Sequence, residues 1–265
     1  MMMTDRLARL APRLASIVPA LVLLLACEQP APPGSDEADT SDTGTDASTD
    51  PSAESGTSDT TTAPGDDPLC PMVDGATWSY VVTNTGGQVL GMDNTSFVAT
   101  SVDGQQGFDQ VDEADAQGEA SVSTLIQQGD EVFRVHRVET TNGTTTASYD
   151  YDPGFLRCSN AWTEVGPAQE YVYDRTAYDA MGLNPMTEPR GHTFEVVAVG
   201  EMVTVPAGTF ETIKVERIRT VGTEAGALAW FWFAPGVGKV REERPIEMEI
   251  EELVSVSIPG GANLP

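Results

Sequence analysis

Five side chains in this sequence could carry redox or acid–base chemistry near neutral pH. They are the thiols of Cys27, Cys70 and Cys158 and the imidazoles of His136 and His192. No Cys-x-x-Cys pair is present, so neither a zinc site nor a dithiol motif is written into the chain. Two cysteines of a domain in an oxidising compartment usually pair, and a Cys70–Cys158 bridge would tie the start of the folded part to its middle. Two buried free thiols are the alternative. His136 alternates with Arg134, which predicts a shared strand face, and His192 follows Gly191 at an expected strand start. Isolated as they are, both read as surface or satisfied core residues rather than ligands. Asp112, Glu113 and Asp115 form a small acidic cluster that could hold a cation or simply face solvent. Arg217 and Arg219 alternate with Glu216 and Thr220. They either orient an anionic head group, pair with acids on neighbouring strands, or guard a sheet edge. There is no Gly-x-Ser-x-Gly elbow, no His-Glu-x-x-His and no phosphate-cradling glycine loop. The expectation is a non-enzyme without cofactor or metal.

Cys27 has different surroundings. Arg6, Arg9 and Arg13 precede an apolar run from Leu14 to Ala26, and a long polar tract follows. The run is too short to cross roughly 30 Å of hydrocarbon as a helix. It has the length of a cleaved export signal with a small residue at the cut. Residues 1–26 therefore read as a signal peptide. Leu24-Leu25-Ala26-Cys27 resembles the lipobox of bacterial lipoproteins, with Leu25 larger than the family prefers. The resemblance implies a diacylglycerol thioether and an N-acyl chain on Cys27. At about 0.8 kcal/mol per buried methylene, several chains give a durable anchor. The alternative is an ordinary secretory signal with an incidental cysteine. Glu28, where an Asp would favour the inner membrane, points to the outer one.

Residues 27–68 then form the lipidated cysteine and an acidic tether. From 28 to 68 there are eleven acids, no Lys or Arg, no aromatic residue and no Leu, Ile or Val until the domain begins. Such a segment cannot bury enough apolar surface to offset ordering entropy, so it is expected to be disordered. A flexible tether of this length reaches about 35–40 Å. The chain carries a net charge of −27. That acidity excludes nucleic acid as a partner, since binding it needs Lys and Arg against phosphates.

Residues 69–265 suffice for one domain and read as β throughout. Trp78, Tyr80 and Val82 alternate with Thr77, Ser79 and Thr83, the period of a half-buried strand. Ser121–Gln127 and Glu131–Thr140 flank Gln128-Gly-Asp130, and Asn142-Gly143 supplies a second hairpin turn. Further strands fall at 194–199, 202–205 and 209–221. Leu228–Phe233 is apolar on both faces, as a central strand would be. Ile246, Met248 and Ile250 alternate with Glu247, Glu249 and Glu251, which predicts apolar-in and acid-out. Tyr178–Leu183 is the best candidate for a short helix. About ten strands joined by short turns indicate an antiparallel barrel, half-barrel or sandwich.

Val203-Thr-Val-Pro-Ala-Gly-Thr-Phe210, Thr212–Val215 and Trp232-Phe-Ala-Pro-Gly-Val-Gly-Lys-Val240 form a recognisable signature, with Gly75-Ala-Thr-Trp-Ser-Tyr80 near the start. It resembles a family of TapB-like bacterial exported proteins, mostly uncharacterised. The resemblance implies a single curved antiparallel sheet, an open barrel or half-barrel in the company of the LolA/LolB proteins that hold acyl chains. A β-sandwich is the alternative. The motif itself needs no catalysis. Pro206-Ala-Gly208 makes a tight turn, Phe210 re-enters the core, and Trp230–Phe233 supply apolar area. If aromatics line a ligand cavity, the candidates are Trp78, Tyr80, Phe210, Trp230 and Trp232. The expected function is a cell-envelope binding module, anchored in the membrane through Cys27, with an apolar or acyl ligand in its curved sheet. The alternative is a structural lipoprotein with a closed core that meets another envelope protein.

Overall fold

A computed structural model describes residues 67–265. The signal peptide, Cys27 and nearly all of the tether lie outside the described residues. Thirteen strands follow one another: β1 (Thr77–Asn84), β2 (Val89–Val102), β3 (Gln105–Asp112), β4 (Glu119–Gln128), β5 (Glu131–Thr141), β6 (Thr144–Ser159), β7 (Gln169–Asp179), β8 (Met186–Val205), β9 (Gly208–Val221), β10 (Leu228–Ala234), β11 (Gly238–Arg244), β12 (Glu249–Ser257) and β13 (Asn263–Leu264).

Each strand pairs with the next in sequence, and β1 also pairs antiparallel with β12 from Thr77↔Ser257 to Asn84↔Glu249. Twelve strands thus close into a barrel, with β13 added on β12. The expected all-β antiparallel sheet is present, but it is closed rather than open or halved. Closure removes the free edges that an open sheet would expose. Tyr178–Leu183 is the end of β7 and a turn, not a helix. There the Asp179 carboxylate accepts from the backbone N–H groups of Met181 and Leu183, a local bond set that competes with helix.

Antiparallel order places successive turns at alternate rims. One rim carries the β1–β2, β3–β4, β5–β6, β7–β8, β9–β10 and β11–β12 turns. The other receives the chain at residue 67. At that second rim Leu69 and the Cys70–Cys158 disulfide are buried. Trp162, from the β6–β7 loop, stacks on Phe194 with centroids 5.8 Å apart and meets Phe233 at 5.6 Å. Together they floor the barrel.

The core has two parts. Leu125, Val132, Phe155, Leu156, Val215, Phe231 and Phe233 belong to the first. Trp78, Trp232, Ala234, Val240, Leu253 and Val256 belong to the second. β10 is therefore buried on both faces, as its sequence predicts. The tip of the β8–β9 hairpin is laid against the second part, where Ala207 N donates to Leu253 O at 3.0 Å. Pro206-Ala-Gly208 is the turn expected from its residues, with Gly208 at φ 142°.

Candidate functional site

The barrel encloses a cavity of about 490 Å³. Leu69, Met72, Leu125, Val132, Phe231 and Phe233 give it an apolar side. Half of the remaining wall residues are charged. The cavity shares Asp93, Asp112, Arg137, Glu139 and Arg244 with a vestibule of about 650 Å³ at the rim opposite the floor. The vestibule is acidic, with Glu113, Asp115, Glu119 and Glu249 in its wall beside Leu90 and Met92.

Between residues 67 and 265 the sequence holds eleven Lys and Arg against thirty Asp and Glu. Nine of those eleven cations stand in the cavity wall. The other two, Lys214 and Arg241, lie over the Trp232 ring at 4.6 and 5.3 Å. Several wall cations are neutralised: Arg175 and Arg190 share Glu188, and Arg219 pairs with Glu224. Three are not. Among the described residues Arg134, Arg157 and Arg217 have no ion-pair or hydrogen-bond partner, although acids outnumber bases almost threefold. Their guanidinium carbons lie 5.9, 5.6 and 5.8 Å from the centroid of one ring, Phe155. Arg134 is 5% exposed and its Nε has no partner. Burial, and then Arg157, push its pKa down to about 9. Burial pushes Arg217 down to about 10, opposed by the charge of Glu242 and aided by Arg157 and Arg219.

Backbone irregularities aim these groups inward. Thr124 pairs with His136 and Leu125 with Arg134, so Val135 is an extra residue on β5. Such a bulge shifts the in/out alternation by one. Arg134 and Arg137 consequently both face the cavity, and His136 does not. The shared face expected for His136 and Arg134 is broken by that one residue. His136 instead meets Asp150 near the surface, Nδ1 to Oδ1 2.7 Å.

His192 is buried against Phe155 and stacked on Tyr173, with interplanar angle 3°. Its Nε2 accepts from Arg219 Nε at 3.4 Å, which puts the ring proton on Nδ1. Nδ1 has no partner. Burial first, then Arg217, Arg219, Arg190 and Arg157, push its pKa down to about 3. The unfolded chain binds a proton at His192 near its ordinary 6.5, so between pH 6.5 and 3 the unfolded state holds more protons. Stability from this group is complete above pH 6.5 and is lost as pH falls through that window. At 1.36 kcal/mol per pKa unit, the loss between pH 7 and pH 5 is about 2 kcal/mol. His192→Gln is expected to flatten the wild-type fall in urea midpoint over that range. Parallel curves for the two proteins would contradict the assignment.

Across the cavity, Lys239 Nζ lies 2.8 Å from both Glu242 Oε2 and Glu251 Oε1. Arg244 reaches the same two carboxylates. Glu251 is 3% exposed and faces inward, whereas Ile246 and Met248 sit in the β11–β12 turn, 64% and 59% exposed. The apolar-in, acid-out expectation fails at Ile246, Met248 and Glu251, while Glu247 is exposed as expected. Lys239 and Arg244 supply interior charge that makes the buried acid tolerable, and the turn takes the apolar residues out of the strand.

Of the aromatic candidates, Trp78 and Tyr80 stand in the cavity wall. Trp232 belongs to the second core part, and Phe210 and Trp230 pack against it. These three do not line the cavity. Cys70 and Cys158 are bonded to each other and line its floor. Asp112 faces the cavity and accepts from Thr95, Gln110 and Ser121. Among the described residues no group of three or more His, Cys, Asp or Glu is placed to hold a metal ion. Cys27 lies outside the described residues. The arginine cluster was not singled out as a site from sequence. Arg217 and Arg219 were legible as a pair on one face, but nothing local linked them to Arg134 and Arg157.

No family model matches the chain, and no curated protein matches it. Among solved structures, an exported protein with a YmcC-like fold from Bacteroides fragilis is 14% identical, with a TM-score of 0.41 over 72% of this chain and 99% of that one. A protein described as a lipoprotein from Parabacteroides distasonis is also 14% identical, with a TM-score of 0.37 over the same shares of both chains.

Proposed function

We propose that this chain is a lipid-anchored binding module of the bacterial cell envelope whose barrel takes a small amphipathic ligand into its interior. The proposed anchor is Cys27, at the head of the acidic segment that precedes the barrel in sequence. The observation that carries the reading is the interior itself. Small barrels fill their middle with side chains, whereas wider ones enclose ligand cavities or channels. This one has about 490 Å³ of cavity, within the range of small-molecule sites, and aims buried polar groups into it. The mixed wall favours a ligand with both polar and apolar parts over the wholly apolar or acyl ligand expected from sequence.

The test is a plug. Gln110 lies in the wall of the cavity, partly exposed. Gln110→Trp is expected to abolish saturable, one-per-chain binding of anilinonaphthalene sulfonate while leaving the far-ultraviolet circular dichroism unchanged. Undiminished binding by the plugged chain would place the dye on the outer surface and refute the chamber.

A second reading, a structural lipoprotein that meets a protein partner, has one observation in its favour. Met181, Leu183 and Met186 at one turn, and Leu90, Met92, Ile246 and Met248 at two others, are all exposed at the vestibule rim. Cross-linking in intact cells would then capture one specific neighbour through that rim.

A further inference from the structure

We infer that Arg134, Arg157 and Arg217, arrayed about Phe155, are the seat for the anionic group of an organic amphiphile: a carboxylate, sulfate or phosphate ester carried on an apolar body. The inference rests on the chamber reading and names the ligand class for it.

Taking a charge out of water costs several kcal/mol, and well-packed apolar residues in its place are often more stable. A fold that has thirty acids available could pair three arginines, and it pairs the neighbouring Arg175, Arg190 and Arg219. It leaves unpaired the three that converge on one ring. Guanidinium forks match the oxygens of carboxylate, sulfate and phosphate in twos, which a point charge does not. His192 adds a neutral N–H donor from Nδ1 beside the same ring. An anion there would satisfy groups that the protein itself leaves open.

The apolar body is inferred from two features. Arg217 also lies over the Phe231 ring, 4.8 Å from its centroid, so the cationic seat runs directly into the apolar side of the cavity. The way in passes an acidic vestibule, where Glu113, Asp115, Glu119 and Glu249 disfavour a bare inorganic anion. A ligand with apolar surface to bury gains about 25 cal/mol per Å² against that barrier.

The experiment uses the full chain with Cys27→Ser, purified without detergent. It is titrated with anilinonaphthalene sulfonate and with phenylnaphthylamine, which has the same rings and no sulfonate. The sulfonate is expected to bind at least about tenfold more tightly. Arg134→Met and Arg217→Met are each expected to weaken it about ten- to hundredfold and to change the neutral dye less than about threefold. Arg134→Met is not expected to lower the thermal midpoint, because it removes an unpaired buried charge, whereas Arg217→Met also removes a charge that favours the ionised Glu242 and is read by the ratio of the two dye affinities. Arg157→Met, at a position that is only partly buried, repeats the test if either of the others fails to fold. Equal affinity for the two dyes would overturn the anionic seat while the chamber stood. Failure of both dyes to bind would remove the chamber as well. Displacement of the sulfonate dye by inorganic sulfate at the dye's own concentration would overturn the apolar body.

Discussion

Replacing Cys70 and Cys158 together by alanine is expected to lower the thermal midpoint by roughly 10–15 °C, from a loss of about 4–5 kcal/mol. The two cysteines are 88 residues apart, so the bond removes loop-closure freedom from a long segment of the unfolded chain. Its native surroundings add to the effect. Cys70 N donates to Asn160 Oδ1 at 2.9 Å, and Cys158 follows Arg157 and Leu156 on β6. The bridge thus fastens residues 67–76, which precede the barrel, to the strand that carries Phe155. Ligand affinity is expected to fall in the double variant at temperatures where it is still folded, because Leu69 and Cys70 are part of the cavity floor. A midpoint within about 3 °C of wild type, by calorimetry of the oxidised proteins, would show that packing alone holds that floor.

Lys239→Met is expected to cost about 3–5 kcal/mol, the usual penalty for leaving buried partners of a lost charge uncompensated. Glu242 and Glu251 face each other across β11 and β12. Like charges so placed repel unless something bridges them. Lys239 is that bridge, with Arg244 as the second contact. Burial would raise the Glu242 carboxyl, but Lys239, Arg244 and Arg217 together hold it well below the usual carboxylate range. Burial raises Glu251, and the charge of Glu242 adds to it. Without Lys239 one of the two carboxyls is expected to take up a proton. Its folded pKa then lies above its unfolded value, so the folded variant binds more protons in the window between them. The deficit against wild type should therefore shrink as pH falls from 7 to 5. Adding Glu251→Gln to the variant should recover part of the loss by removing the repulsion. Urea melts across that pH range decide it, and a deficit independent of pH would contradict the network.

Much of the strand content was legible because turn residues mark it. Gln128-Gly-Asp130, Asn142-Gly143 and Pro206-Ala-Gly208 all fall at hairpin turns of the barrel. The disulfide followed from cysteine count and the export reading. Closure did not, because the β1–β12 register joins segments some 170 residues apart, and nothing local in either distinguishes a partner from an edge. The interior was misread for a different reason. Period two says which residues share a face but not which face is inside, and here the inside is the charged one. Ile246 and Met248 look like core beside Glu247, Glu249 and Glu251 until Lys239 and Arg244 are known to wait inside. A single extra residue, Val135, reverses the face of His136 relative to Arg134, and a bulge leaves little trace in composition. The arginine seat is built from β5, β6 and β9, so it exists only once the barrel is closed.

The most direct measurement is native mass spectrometry of the full chain after incubation with a total envelope extract. One adduct per chain is expected, an acidic molecule with an apolar part, that is missing from an Arg134→Met/Arg217→Met variant of unchanged fold. A chain that stays bare, or that carries a neutral molecule equally well in both proteins, would contradict it.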